Sequence, residues 1–207
     1  MANKRRIKKA TGREPGRRNM THDLRIVGGK FRGRKLFSTD DAGVRPMKNR
    51  VREAVFNLIG PTVSGKHVLD LFAGTGALAL EALSRGAAQA TMIERHFPTA
   101  QVIRRNVNTL AVEERVEIVT ADAFYWVQHK MVSGDLPWLV LCSPPYRLFV
   151  EQLDDLQKLI SKVLERAHSG SIIVVESDDR FDVSQLPEHE QWDVRSYPPA
   201  IVSLRRL

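Results

Sequence analysis

Short apolar runs alternate with helical segments from Lys66 onward, and this alternation restricts the fold more than any other feature of the sequence. The runs are HVLDLFA, ATMIE, RVEIVTAD, WLVLCSPPY and SIIVVES, and the intervening segments predict helices over ALALEALSRG, near Thr99–Leu110, around Ala123–Met131 and near Val150–Ala167. Buried strands that alternate with helices predict an α/β fold with a mostly parallel, doubly wound sheet covered on both faces. Two final runs, WDVRSY and AIVSLRR, are joined by Pro198-Pro199 and predict an antiparallel hairpin at one edge, for seven strands in all.

Most of the positive charge lies before this pattern begins. The 207 residues carry a net charge of +8, but residues 1–35 hold 13 Lys and Arg against Glu14 and Asp23, so the rest of the chain is slightly acidic. This placement favours a polyanionic partner at the N-terminal end. We predict a basic, disordered tail over residues 1–22, a small basic unit over residues 23–60, and the main domain over residues 61–207.

Within the basic unit, the segment LRIVGGKFRGRKL predicts a hairpin of two short strands around Gly28-Gly29. The following residues, Arg45–Ile59, have apolar positions at helical spacing and predict a helix. An ordinary solvated surface is the alternative interpretation of this basic hairpin. Contact with nucleic-acid phosphates is the functional one.

Several classes of site and location are disfavoured by composition. Cys142 is the single cysteine, and the six histidines lack the spacing typical of metal ligands, so we expect no disulfide and no metal ion. No apolar run approaches the roughly 18 residues of a membrane span. We therefore expect a cytoplasmic protein without a membrane partner, and we expect it to be a monomer.

The first strand ends in a glycine-rich turn, DLFAGTGALA, in which Gly74, Gly76 and Ala79 match the pattern of a dinucleotide-binding loop. Asp70 opposes that interpretation, because a carboxylate beside the loop would repel a pyrophosphate and attract an ammonium group. S-adenosylmethionine carries an ammonium group and no phosphate. The turn therefore favours S-adenosylmethionine over a nicotinamide dinucleotide as the cofactor.

Two more acids end the next two strands. Glu94 follows Gly76 by 18 residues, close to the spacing at which an acid accepts hydrogen bonds from ribose hydroxyls. Asp122 ends the third strand, where it could accept from an adenine amino group. Each acid alone could equally be a helix cap or a solvated strand end. Acids at three successive strand ends are harder to explain in that way.

The fourth strand ends in Ser143-Pro144-Pro145-Tyr146, and ligands of open α/β sheets bind at the carboxyl ends of the strands. Prolines have no N–H to donate, so this turn offers carbonyl oxygens and the Ser143 hydroxyl as acceptors. Such acceptors can orient an exocyclic amino group toward a methyl donor while Tyr146 stacks on the base. Ser143 is a poor general base, so we expect the amino proton to pass to solvent. A turn that only ends the strand is the alternative.

These motifs resemble class I methyltransferases that modify amino groups. The blocks RIVGGKFRGRKL, VRPMKNRVREAVFNLI and DLFAGTGALALEALSRGA, in this order, more closely resemble the RsmD family of bacterial 16S ribosomal RNA guanine-N2 methyltransferases. The resemblance covers roughly Leu24 to the C-terminus and implies a Rossmann-like methyltransferase sheet, S-adenosylmethionine as cofactor, and 16S rRNA or the small ribosomal subunit as partner.

The resemblance also implies roles for individual residues. The cofactor would be bound by Asp70, Phe72, Ala73, Gly74, Gly76, Glu94, Arg95, Asp122 and Ala123. The catalytic tetrapeptide would be Ser143, Pro144, Pro145 and Tyr146, which holds the target guanine. RNA would be contacted by Arg25, Lys30, Arg32, Arg34, Lys35, Arg45 and Arg50.

Two positions depart from the family pattern. Ser143 replaces the usual Asp or Asn, and Met47 replaces a common Thr. Serine at position 143 also resembles some cytosine-N4 DNA methyltransferases, which leaves DNA amino methylation, of cytosine N4 or adenine N6, as an alternative function. A third possibility is a non-catalytic RNA-binding or ribosome-assembly protein that has lost its chemistry at Ser143.

Overall fold

The structure is a computed structural model that describes residues 24–39, 47–132 and 134–207. The tail predicted over residues 1–22 and the predicted RNA contact Arg45 lie outside the described residues. Seven strands form one sheet with the order β3-β2-β1-β4-β5-β7-β6. Their bounds are β1 His67–Asp70, β2 Gln89–Ile93, β3 Val116–Val119, β4 Trp138–Cys142, β5 Ile172–Asp178, β6 Asp193–Tyr197 and β7 Ala200–Arg206.

Strands β1 to β5 are parallel to one another, whereas β7 is antiparallel to β5 and β6 is antiparallel to β7. The central strand β1 pairs with β2 on one side and with β4 on the other. The chain thus winds outward in both directions from β1, as expected for a doubly wound sheet. The predicted fold class, including the antiparallel edge hairpin, is confirmed.

Six α-helices accompany the sheet in the described residues. They are α1 Asn49–Ile59, α2 Ala77–Ser84, α3 Phe97–Leu110, α4 Ala123–His129, α5 Leu148–Glu151 and α6 Leu153–Arg166. The helix predicted near Val150–Ala167 is present as α6, but the short helix α5 precedes it, and the two are divided at Gln152, which has φ −141° and ψ 40°. Periodicity does not reveal such a break, since apolar positions continue across it.

Each face of the sheet has its own hydrophobic cluster. Helices α1, α2 and α3 pack over one face, and α4, α5 and α6 pack over the other. The N-terminal segment belongs to the first cluster, because Leu24, Ile26 and Leu36 are buried there with residues of the sheet. The division of the chain at residue 60 stays a prediction, but residues 24–36 share their core with the sheet.

The basic segment 24–36 folds back on itself with a single antiparallel bridge, Arg25 to Lys35, rather than the two strands that we predicted. Hydrogen bonds run from Ile26 N–H to Arg34 C=O, at 3.0 Å, and from Leu36 N–H to Leu24 C=O, at 2.8 Å. The turn of this segment bonds to another element. Lys30 N–H donates to the carbonyl of Ser84, at the end of α2.

A buried carboxylate joins this segment to two helices. Glu81 of α2 is fully buried, and its Oε2 accepts a 2.7 Å hydrogen bond from Val27 N–H and lies 3.6 Å from Arg52 Nε of α1. Its Oε1 accepts from Arg85 Nε at 2.7 Å. Arg52 is also fully buried and donates to the carbonyl of Arg25. A buried charge is tolerated only when it is paired and hydrogen-bonded, which Glu81 achieves with all three elements.

Substitution of Gly29 by Ala should measure how tightly the segment is seated on α2. Gly29 has φ +73°, and an added Cβ would lie 2.0 Å from the Ser84 carbonyl oxygen. Gly33 is the matched control, since its φ is +84° but a Cβ there meets nothing within 4 Å. The positive φ alone should cost Gly33→Ala about 1 kcal/mol of unfolding free energy. Gly29→Ala should cost at least about 2 kcal/mol more, because backbone must move.

Urea unfolding of both variants and the unsubstituted protein measures this difference. Equal losses for Gly29→Ala and Gly33→Ala would contradict the close approach of Gly29 to α2.

Candidate active site

The carboxyl ends of the parallel strands surround one cleft of about 720 Å³. Most of the predicted ligand-binding residues line it: Phe72, Ala73, Gly74, Glu94, Arg95, Asp122, Ala123, Ser143, Pro144, Pro145 and Tyr146. Asp70 and Gly76 lie outside this lining. The glycine-rich turn after β1 and the tetrapeptide after β4 therefore line a shared space.

The glycine-rich turn depends on two residues with positive φ. Gly74 has φ +53°, and Gly76 has φ +77° at the position preceding α2. A Cβ on Gly76 would lie 3.2 Å from both Ile103 and Met92, so a side chain there would be strained and crowded. Gly76 thus lets the turn pack closely against α3 and β2, while Gly74 lines the cleft without a side chain.

Glu94 holds this turn in place from the end of β2. Its Oε2 accepts a 2.9 Å hydrogen bond from Gly74 N–H, and its Oε1 accepts a 2.8 Å hydrogen bond from His96 N–H. Each carboxylate oxygen can accept more than one hydrogen bond, so this pairing leaves capacity for hydroxyls in the cleft. The structure thus places Glu94 on the cleft wall, where its predicted role requires it.

Asp70 lies beneath the turn and is fully buried. Its Oδ2 accepts a 3.3 Å hydrogen bond from Ala79 N–H, while its Oδ1 makes no hydrogen bond of normal geometry. Burial raises the pKa of Asp70 to about 7, despite the opposing hydrogen bond from Ala79. An ammonium group would stabilise this carboxylate, but Asp70 does not form part of the cleft surface, and its predicted contact with the cofactor stays a prediction.

Asp122 caps helix α4, where its Oδ1 accepts a 3.1 Å hydrogen bond from Tyr125 N–H. The same helix start adds a residue that we did not predict, Phe124. Its ring makes an edge contact with the ring of Phe72, with centroids 5.9 Å apart, and both rings line the cleft. Two aromatic rings beside an acid offer apolar surface to a nucleobase. The apolar residue directly after Ala123 was the available sequence signal.

The tetrapeptide after β4 is joined to the neighbouring strand by a carboxylate that we also missed, Glu176 of β5. The hydroxyls of Ser143 and Tyr146 both donate to it, one to each oxygen, and the Tyr146 distance is 2.9 Å. Glu176 is 5% exposed and lines the cleft. An acid in the apolar run SIIVVES was its only sequence signal.

The carbonyls of the tetrapeptide are less available than we predicted. The carbonyl of Pro145 accepts from Leu148 N–H, and that of Tyr146 accepts from Phe149 N–H, both at the start of α5. The neighbouring Cys142 is buried, and burial raises the pKa of its thiol to about 12. The thiol therefore stays protonated, in agreement with the absence of a predicted role.

Basic side chains surround the cleft and the N-terminal segment. Lys48, Arg95, Arg147 and Arg180 are exposed and line the cleft, and only Arg95 among them was predicted. The predicted RNA contacts Arg25, Lys30, Arg32, Arg34, Lys35 and Arg50 are all exposed. Arg34 also donates a 2.6 Å hydrogen bond to the carbonyl of Thr109, so part of its function is structural.

The part of the chain that the structure describes contains neither a cluster of metal-binding side chains nor a helix that could span a membrane. Across residues 24–39, 47–132 and 134–207, no group of three or more His, Cys, Asp or Glu could hold a metal ion. Over the same ranges, no helix is long and apolar enough to cross a membrane. The expectation of a metal-free protein stays a prediction.

Comparisons with known proteins agree with this geometry. Residues 24–204 match the family described as "Conserved hypothetical protein 95". Ribosomal RNA small subunit methyltransferase D of Escherichia coli K12 is 42% identical over 124 residues, which are 60% of this chain and 61% of that protein. Putative rRNA methyltransferase YlbH of Bacillus subtilis is 37% identical over 166 residues, 80% of this chain and 86% of that protein. A solved structure, the putative methyltransferase yhhF from Escherichia coli, is 32% identical with a TM-score of 0.73, covering 88% and 98% of the two chains.

The raised pKa of Asp70 predicts a pH dependence of stability. Between pH 4 and pH 7 the folded protein retains a proton that the unfolded chain has lost, so the free energy of unfolding should fall as pH rises. From pH 5 to pH 8, this contribution should amount to about 3 kcal/mol. Asp70→Asn cannot ionise and should lose that part of the slope.

Urea unfolding at pH 5 and pH 8 provides the measurement. Asp193→Asn is the control, because Asp193 is an exposed carboxylate on the edge strand β6. Parallel pH profiles for Asp70→Asn and the unsubstituted protein would show that Asp70 has an ordinary pKa.

Proposed function

This chain belongs to the RsmD family, and from that premise we propose that it transfers a methyl group from S-adenosylmethionine to the N2 amino group of a guanine in small-subunit ribosomal RNA. One observation carries the proposal: the glycine-rich turn and the tetrapeptide Ser143–Tyr146 open into the same cleft. A methyl donor on the first and an amino group on the second would then meet within one enclosed space, which is the positioning that such a transfer requires.

The residues on the cofactor side fit S-adenosylmethionine in three respects. Glu94 can accept from ribose hydroxyls while it holds the turn. The edge-packed rings of Phe72 and Phe124 suit an adenine. Asp70 is buried behind the cleft surface, and its carboxylate, when ionised, would stabilise a positive charge near the turn and disfavour a phosphate. When bound, S-adenosylmethionine supplies a methyl group on a sulfonium leaving group.

The residues on the base side orient the target nitrogen. Their acceptors would hold the two N–H groups of an exocyclic amine, and the Tyr146 ring would stack on the base. The amine nitrogen then forms a bond to the methyl carbon as the carbon–sulfur bond breaks, and its proton passes to solvent. Chemistry of this kind depends mainly on alignment, because the sulfonium needs no acid to leave.

Ribosomal RNA fits the charge around this cleft. Lys48, Arg95, Arg147 and Arg180 border the cleft, and further exposed basic residues extend over the segment 24–36. Phosphate contacts supply most of the affinity of a protein for nucleic acid and fix its position on the strand.

DNA amino methylation is the second candidate, and Ser143 is the observation that favours it. The described residues leave little beyond the methyltransferase fold that could read a DNA sequence, which favours an RNA substrate whose own folding supplies the specificity. A non-catalytic role is favoured less, because the carboxylate missing at position 143 is present in the site as Glu176.

The proposed reaction should be directly observable. We expect labelled methyl groups from S-adenosylmethionine to appear as N2-methylguanosine in small ribosomal subunits that lack the modification, detected by mass spectrometry of the digested nucleosides. Naked 16S rRNA and duplex DNA are the parallel substrates. Label in DNA alone would establish the second candidate, and cofactor binding without label in any substrate would establish the non-catalytic one.

The basic segment should set the salt dependence of RNA binding. Arg32→Ala combined with Lys35→Ala should lower the slope of log K against log salt by about 1 for each phosphate that is no longer neutralised. This pair avoids Arg34, whose bond to Thr109 is structural. Affinity for S-adenosylmethionine should not change.

The matched control removes the same charge from the opposite face of the sheet, with Lys158→Ala and Lys162→Ala in α6. Binding isotherms at several salt concentrations give the slopes. If both double variants have the same slope as the unsubstituted protein, the segment 24–36 does not contact RNA.

A further inference from the structure

Glu176 gives the tetrapeptide a charge that its own sequence lacks. The residues Ser143–Tyr146 are neutral, but β5 lies beside β4 and brings the Glu176 carboxylate against both hydroxyls of the turn. The parallel register pairs Cys142 with Val175, so Ser143 and Glu176 are the next residues along the two strands, and β5 continues to Asp178 after β4 has ended. Contact between positions 143 and 176 is therefore built into the strand pairing.

The direction of these two hydrogen bonds has a chemical consequence. A hydroxyl carries one proton and two lone pairs, whereas an ionised carboxylate can only accept. When Ser143 and Tyr146 donate to Glu176, their protons are engaged by its carboxylate, and only the lone pairs of the two hydroxyls remain to bond to a ligand. Pro144 and Pro145 add no N–H group. The side chains of the turn thus present acceptors and no donors.

A base amine and a base carbonyl would respond in opposite ways to this arrangement. An N–H group finds a hydroxyl oxygen that is a better acceptor because the same hydroxyl donates to the carboxylate, and hydrogen bonds in such a chain strengthen one another. A carbonyl oxygen at the same place would face lone pairs and would have no donor to bond to. Binding sites strongly reject a ligand whose polar group is left without a partner.

We propose that Glu176 is a positioning residue that orients the Ser143 and Tyr146 hydroxyls as donors to itself, and that this orientation makes the site selective for an exocyclic amine. The inference rests on the proposed function, because it assigns specificity to the same site. Glu176 acts through the two hydroxyls, and it explains how a serine can serve at a position that the family usually fills with Asp or Asn.

Glu176→Gln is the decisive substitution, since it keeps the size of the side chain and adds donors. The amide should turn one hydroxyl proton toward the cleft. We expect methyl transfer to small ribosomal subunits to slow by about 10-fold to 100-fold, the range for loss of a hydrogen bond to a charged group. The dissociation constant of S-adenosylmethionine, measured by calorimetry, should stay within about twofold because Glu176 is not among the residues proposed to bind the cofactor.

Rescue separates this role from simple support of the turn. Ser143→Asp in the Glu176→Gln protein restores a side chain that only accepts, held by the amide introduced on β5, and methyl transfer should return to within about 10-fold of the unsubstituted rate. If the contact between β4 and β5 were purely structural, a carboxylate at position 143 would not restore methyl transfer.

Glu188→Gln is the matched control. The Glu188 carboxylate also accepts from two side chains, Arg205 at 2.8 Å and Gln191 at 3.0 Å, but it does not line the cleft. Glu188→Gln should leave methyl transfer and cofactor binding unchanged. This control shows whether replacing any hydrogen-bonded carboxylate by an amide lowers activity.

Binding of guanosine and inosine monophosphates tests the selectivity without any methyl transfer. The two nucleotides differ only in the N2 amino group, so their ratio of dissociation constants, from an NMR titration, reports the amine contact. We expect about 10-fold tighter binding of the guanosine nucleotide, falling below about twofold in Glu176→Gln. If that variant does not fold, Ser143→Ala should reduce the ratio in the same way.

The outcomes distinguish this inference from the function on which it rests. Transfer to guanine that is equally fast in Glu176→Gln, or an unchanged nucleotide ratio, would overturn the role of Glu176 and leave the proposed function intact. A ratio that depends on Glu176, with no transfer to any nucleic acid, would support amine selection and overturn the proposed function.

Discussion

The position of β1 between β2 and β4 is the constraint from which the site follows. Parallel pairing places Asp70, the last residue of β1, opposite Met92 and Leu141 of its two neighbours. The three strands therefore end at one level, and their connections leave toward helices on different faces. An opening at the centre of the edge is the unavoidable result. Many of the residues that follow the strands therefore line this opening.

Carboxylates keep that opening in shape while they remain able to bind. The turns that follow parallel strands leave backbone N–H groups without ladder partners, and unpaired buried N–H groups are costly. Glu94 takes up two of these groups and Asp122 takes up one. Because a carboxylate has about four acceptor sites, such a side chain can stabilise a turn and still offer acceptors to a ligand. Glu94 and Asp122 can therefore stabilise their turns and bind a ligand at once. The two interpretations that the sequence left open, a helix cap and a ligand-binding residue, do not exclude each other.

Sequence patterns predicted the sheet, the order of its helices and part of the cleft lining, because these depend on local periodicity and on which residue ends each strand. They did not identify Glu176, whose contacts with Ser143 and Tyr146 depend on the pairing of β4 with β5 across about thirty residues of chain. They predicted strands in the segment 24–36 because the arms have β-like composition, whereas the observed conformation is decided by bonds to Ser84. The burial of Asp70 could not be predicted from the local sequence either, because the orientation of its carboxylate depends on the conformation of the turn.

The N-terminal segment and the glycine-rich turn are held by one side chain, and this gives the molecule a fixed geometry for its substrate. Asn106 of α3 is fully buried, and its amide donates to the carbonyls of Phe37 and Thr75 at 3.0 and 2.9 Å. Its Oδ1 accepts from Phe37 N–H at 2.7 Å. Displacement of the segment would leave a buried amide unsatisfied, at a cost of about 1–3 kcal/mol for each group. Together with the Glu81 pairing, this cost favours one position of the basic residues relative to the turn. The distance from a bound phosphate to the reacting nitrogen would then be set by the fold before any RNA arrives.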